Sequence, residues 1–243
     1  MPRRGPQPAG RAYRSSGPRR RPCWPARRVL SLSLTGVRSL VAVGAHPDDI
    51  EIAAGGLLLS LAAASPGVRV HYVLCSGSPD RQVEARAAAA AFLPGAELSF
   101  ALHALPDGRL PAHWNTVKDF LHEAIGVLDP DLVICPAPND AHQDHRLLAE
   151  QTPTVFRDQL VLHYEIPKWD GDLARRNVYV PLPDGVARRK VELLHECFPS
   201  QKARDWWDDE VFLGLARLRG MECRSRYAEA FDCTKAGLRL GHE

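Results

Sequence analysis

The chain has 243 residues, 45% of them hydrophobic and 25% charged, the balance of an ordinary globular protein with enough apolar material for one sizeable core. Its net charge of +2 hides a division: residues 1–38 carry ten of the 31 basic residues and no acid, so the remainder holds 21 basic against 29 acidic residues, about −8 net. That excludes a body built as a broad basic surface for nucleic acid, and no run approaches the roughly 20 apolar residues of a membrane helix.

Residues 1–38 also hold six Pro and show almost no apolar periodicity, which predicts a disordered basic N-terminal segment that cannot bury enough surface to offset ordering. Arg27-Arg28-Val29-Leu30 loosely matches a twin-arginine export signal, but Arg38 interrupts its apolar stretch, so the reading is a cytoplasmic protein. From residue 39 on, apolar runs alternate with helical patterns. Ser39–Gly44 reads as a buried strand and Ile50–Ala64 as a helix weakened at Gly55-Gly56. Val68–Cys75 is a strand, Arg81–Leu93 an Ala-rich helix stopped by Pro94-Gly95, and Ala96–Leu102 a strand. Pro106-Asp107-Gly108 is a turn signal; His113–Leu128 is helical and Asp131–Cys135 a short buried strand. Arg146–Arg157 is a helix broken or kinked at Pro153. Gln159–Tyr164 and Asn177–Val180 read as strands, Val186–Cys197 and Asp209–Arg219 as helices. This order predicts a single Rossmann-like three-layer α/β domain, a mostly parallel sheet with helices on both faces. The six Cys form no CxxC pair, which argues against a structural zinc ribbon and for reduced thiols that mostly pack.

Ligands of such sheets bind beyond the carboxyl ends of the strands. His46-Pro47-Asp48-Asp49 follows the first strand, Ser76-Gly77 the second, and His142-Gln143-Asp144-His145 the strand ending at Cys135, so three loops converge on one rim. His46 and Asp49, three apart across a strand-to-helix turn, can face one point, and His145 supplies a second imidazole. Two His and one carboxylate leave a coordination position open for water, as catalytic sites do; nitrogen and oxygen donors without thiolate suit Zn2+, with iron, cobalt or manganese as other divalent choices. Asp48 is a candidate general base, and His142, if protonated, a candidate donor to an oxyanion. Asp144 is a candidate to hold one of these imidazoles by its other nitrogen.

Ala45-His46-Pro47-Asp48-Asp49-Ile50-Glu51 with Gly55-Gly56, followed by His142-Gln143-Asp144-His145, resembles the paired signature of the PIG-L/LmbE family of metal-dependent N-acetylglucosamine deacetylases. The resemblance continues through Arg81-Gln82-Val83-Glu84, Pro106-Asp107-Gly108, Ser200-Gln201 and Tyr227–Phe231, covering about residues 39–232. It implies a metal-dependent deacetylase domain over residues 39–243, with His46, Asp49 and His145 as zinc ligands, Asp48 as base and His142 at the oxyanion. The reaction implied is release of acetate from an N-acetyl amino-sugar conjugate, a small-molecule substrate, with neither nucleic acid nor membrane as partner and homo-oligomers possible. The membrane anchor of eukaryotic members is missing, and an Arg- and Ala-rich bacterial style of composition suits a role in antibiotic or thiol-precursor biosynthesis.

Other residues carry weaker signals. Arg81 matches a position that contacts the sugar in similar proteins, or pairs with Glu84 at i, i+3. Asp107 is a turn residue and a candidate substrate contact, and Glu165, closing a strand, is another. Trp206-Trp207 suit either stacking on a sugar or core packing. Two rivals remain at this stage: a two-metal phosphoesterase, which needs more ligands, and a non-catalytic sugar- or nucleic-acid-binding protein using the basic segment.

Overall fold

Ser39–Gly44 (β1) lies at the centre of a seven-stranded sheet because both of its faces are buried: Leu40 and Ala42 enter one apolar core, Val41 and Val43 the other. Continuous apolar runs of this kind mark strands covered on both sides. The computed structural model describes residues 32–238. The N-terminal segment of residues 1–38 therefore lies almost wholly outside the described residues.

Chain order runs β1, α1 (Asp49–Ala64), β2 (Arg69–Ser76), α2 (Pro79–Phe92), β3 (Glu97–Leu105), α3 (Trp114–Val127), β4 (Leu132–Pro136), α4 (Gln143–Val155), β5 (Leu160–Tyr164), β6 (Val178–Leu182), α5 (Asp184–Cys197), α6 (Asp209–Glu222) and β7 (Tyr227–Cys233). The sheet order is β3-β2-β1-β4-β5-β7-β6. The first five strands are parallel; β7 runs antiparallel to both β5 and β6. One core packs α1, α2, α5 and α6 on one face, and the other packs α3 and α4 on the opposite face, giving the three layers expected. Among the described residues no helix is long and apolar enough to cross a membrane. The cysteines among them are unpaired, and Cys75 and Cys135 are buried as packing residues.

The sequence pattern misses β7. Glu229 and Asp232 interrupt its apolar run, yet Glu229 is buried with Lys190 Nζ at 2.6 Å. The same carboxylate accepts the backbone N–H groups of Gly56 and Leu57, both at 2.7 Å. It thereby caps the second half of α1 beyond a non-helical residue, Ala54 (φ −128°, ψ 15°). The Gly-Gly pair is thus a close-packing device: a Cβ on Gly56 would lie 2.5 Å from Leu182 Cδ1. Helix α4 also departs from expectation, starting earlier and continuing two residues past Pro153. Pro153 sits in the last turn, where interruption costs least.

From β1 the chain winds to β2 and β3 on one side, then returns to β4 and β5 on the other. The crevice between the ends of β1 and β4 is the topological switch point, where open α/β sheets bind ligands.

Candidate metal centre

The turn leaving β1 is locally built. Asp49, first residue of α1, turns its Oδ2 back to accept the backbone N–H groups of Ala45 and His46, each at 2.9 Å. Asp48 takes φ 122°, a strained conformation for a residue with a side chain, and makes no capping bond of its own. Its carboxylate is left to pair with Arg81. Gly77, after β2, allows the close approach of this turn: a Cβ there would lie 2.6 Å from Pro47 Cγ.

Three donor atoms meet at one point. His145 Nε2 lies 3.2 Å from His46 Nδ1 and 3.3 Å from Asp49 Oδ2, and His46 Nδ1 lies 3.5 Å from Asp49 Oδ2. Ligands bonded at about 2.0–2.1 Å around a tetrahedral cation stand roughly 3.3 Å apart, so the triad fits a small divalent ion. All three residues are buried. The local charge agrees. Although burial disfavours charge on His46, Asp49 and hydrogen bonds to Asp107 and Asp144 push it up to about 12. His145, likewise buried, is pushed up to about 9 by Asp49 and Asp140. The carboxylates therefore favour positive charge here, and a bound cation would displace those protons.

The other predicted residues are placed as follows. Asp48 is buried, which raises its carboxyl to about 7 even though Arg81 opposes the shift. Arg81 Nη2 lies 2.9 Å from Asp48 Oδ2 and also donates to the carbonyl of Pro47. The i, i+3 pairing with Glu84 is not made: Glu84 accepts from Ser200 N at 2.9 Å and Ser200 Oγ at 2.6 Å. His142 caps α4, its Nδ1 accepting from Asp144 N at 3.3 Å, and its ring centre lies 4.9 Å and 4.8 Å from those of His46 and His145. Burial and those two imidazoles lower its basicity, against the expectation of a protonated ring. The bond at Nδ1 instead assigns the proton of the neutral ring to Nε2, which keeps a donor. Asp107 is largely exposed, with Oδ1 2.8 Å from His46 Nε2 and 4.0 Å from His142 Nε2.

The structure corrects the expectation for Glu165 and specifies that for Asp144, which lies at the second nitrogen of His46; the carboxylate on that of His145 is Asp140, with Oδ2 2.9 Å from Nδ1. Asp144, fully buried and 3.6 Å from His46 Nε2, accepts the backbone N–H groups of Gly108 at 2.8 Å and Leu110 at 3.0 Å, pinning the loop that carries Asp107. Glu165 faces inward and not into the rim: Arg219 binds it through Nε and Nη2, both at 2.7 Å, and Arg176 Nε lies at 3.1 Å. Sequence reasoning passed over Asp140, although a carboxylate shortly before a ligand His is where such a partner belongs. Trp207 is core, edge-on to Phe198 and Phe212, whereas half-buried Trp206 stands edge-on to exposed Trp169.

Residues 41–156 match the family model described as PIG-L, GlcNAc-PI de-N-acetylase, a span that contains every residue of the triad. No curated protein matches the sequence. Among solved structures, an N,N'-diacetylchitobiose deacetylase from Pyrococcus horikoshii is similar at 20% identity, with TM-score 0.61 over 82% of this chain and 84% of that one. The A40926 pseudoaglycone deacetylase Dbv21 is similar at 15% identity, with TM-score 0.62 over 84% and 99%. GalB, a 4-carboxy-2-hydroxymuconate hydratase from Pseudomonas putida KT2440, is similar at 19% identity, with TM-score 0.67 over 85% and 100%. At these identities the likeness establishes the shared fold.

Proposed function

We propose, from the PIG-L match over residues 41–156 and from the geometry of the site, that the chain is a divalent-metal hydrolase cleaving the acetamide of an N-acetyl amino-sugar conjugate to acetate and free amine. The observation that carries this reading is the convergence of His46 Nδ1, Asp49 Oδ2 and His145 Nε2, with the buried carboxylate of Asp48 beside them. Since a hydratase shares the fold, the assignment leans on the family match and the site.

His46, Asp49 and His145 would hold a divalent ion, with Zn2+ the best fit to two imidazoles and one carboxylate, and it would supply the Lewis acidity that acidifies water and polarises a carbonyl. Asp48 accepts the proton released as water attacks the amide carbon. It then returns that proton to the nitrogen as the carbon–nitrogen bond breaks, so the amine leaves neutral and acetic acid gives up its own proton to solvent. Nε2–H of His142 donates to the carbonyl oxygen as negative charge grows there. Arg81 holds the Asp48 carboxylate in place, and residues 39–243 act as one catalytic domain.

The test is acetate release by the Zn2+-loaded protein across N-acetylglucosaminides of differing aglycone size, with metal content measured in parallel. One ion per chain and acetate from at least one conjugate are expected. Full metal occupancy without acetate from any conjugate would defeat the reading, and two ions per chain with phosphoester cleavage would favour the phosphoesterase rival.

A further inference from the structure

Asp140 sits in the loop joining β4 to α4 and is buried with both oxygens engaged. Oδ2 takes Nδ1 of His145 at 2.9 Å. Oδ1 accepts the backbone N–H of His142 at 2.8 Å and lies 3.0 Å from Nζ of Lys168. One carboxylate therefore positions a triad imidazole and the backbone of the proposed oxyanion donor together. Its charged partner comes from a different loop, the one leaving β5. Lys168 Nζ also binds Asp172 Oδ2 at 2.6 Å, and that same oxygen accepts the backbone N–H of Ala141 at 2.6 Å. Lys168 thus bridges two acids, each fastened to the 140–142 backbone or to His145.

We infer that Lys168 is a positioning residue for the metal triad, acting through Asp140. The argument is mechanical and electrostatic. His145 ligates through Nε2 only if Nδ1 carries the proton and the ring is aimed, and Asp140 does both. Asp140 can hold that position in a dry environment only if its second oxygen is satisfied by charge as well as by one backbone N–H. Removing the ammonium leaves half-buried Asp172 without its cation and Asp140 with only the His145 imidazole opposite it, and both stitches between the loops slacken. The three donor atoms are then no longer held at their mutual distances before the ion arrives, so the ion binds more weakly.

This inference rests on the metal reading proposed above and is tested by binding of the metal alone. Zn2+ dissociation constants are measured by competition with a chromophoric chelator for the wild-type chain, K168M and K168R, together with the thermal midpoint of each metal-free protein. Partner groups around ligand imidazoles typically govern affinity by 10–100-fold, so K168M should bind Zn2+ at least about tenfold more weakly, with K168R recovering part of the loss. A metal-free midpoint close to wild type in K168M places the effect on the site rather than on folding. Wild-type Zn2+ affinity in folded K168M overturns the inference; if K168M does not fold, the milder K168Q is judged by the same two outcomes. A wild-type chain that binds no divalent ion defeats the metal reading itself, a result distinct from either.

Discussion

The guanidinium of Arg81 lies 2.9 Å from the carboxylate of Asp48, joining the first turn of α2 to the strained residue that opens α1. Burial raises the Asp48 carboxyl and Arg81 opposes the shift, so this contact sets how basic the proposed base is. In R81M the opposing charge is gone and the carboxyl moves higher still. The acidic limb of kcat/KM against pH should shift to higher pH, with R81K between the two because an ammonium lacks the planar fork. A limb in the same position in R81M would show that Arg81 does not tune Asp48.

The same burial has a cost for folding. The carboxyl of Asp48 is raised from 3.8 to about 7, so the unfolded chain gives up its proton at lower pH than the folded one. Stability therefore falls as pH rises through that window, and the loss is complete above it. In the metal-free protein, D48N should match wild-type Tm near pH 4 and exceed it at pH 8, while turnover of the loaded enzyme falls by about 10²–10⁴-fold with metal content intact. Equal Tm values at pH 8 would remove the strained, desolvated carboxylate from the account.

Glu229 should be among the least tolerant positions outside the site. Its carboxylate meets Lys190 and two backbone N–H groups of α1, all within a buried pocket. E229A leaves the ammonium and both amides unpaired, a change that costs about 3–5 kcal/mol for a broken buried pair. A denaturant melt should read that loss, and E229Q, which keeps one acceptor oxygen for these donors where the carboxylate offers two, should lose less. Indistinguishable melts for E229A and wild type would contradict the capping role.

Glu165 offers the complementary case. Its oxygens are taken by Arg176 and Arg219, so E165A should lower the urea midpoint without changing KM across conjugates of different aglycone size. A raised KM at unaltered stability would return Glu165 to substrate binding.

Much of this protein was legible in its residues. Parallel strands covered on both faces must be apolar without interruption, so Leu40–Val43 and Leu132–Cys135 announced themselves. The His46–Asp49 half of the site is equally local: three residues separate the ligands, and Asp49 closes the turn on its own neighbours. The pairing of that turn with His145 was readable because both follow strands that the fold places side by side at the switch point.

What only the tertiary structure decided is the partner of each buried charge. Glu229 broke the pattern of β7 in sequence, and Lys190 with the amides at the α1 kink makes it a core residue. Asp140 and Lys168 lie on separate loops, and Asp144, in the first turn of α4, binds the backbone of Gly108 from the loop after β3. The physical reason is range. Hydrophobic periodicity and turn geometry are fixed within a few residues of chain, whereas a carboxylate can be buried only where donors from distant segments arrive to satisfy it, and that depends on packing the whole sheet.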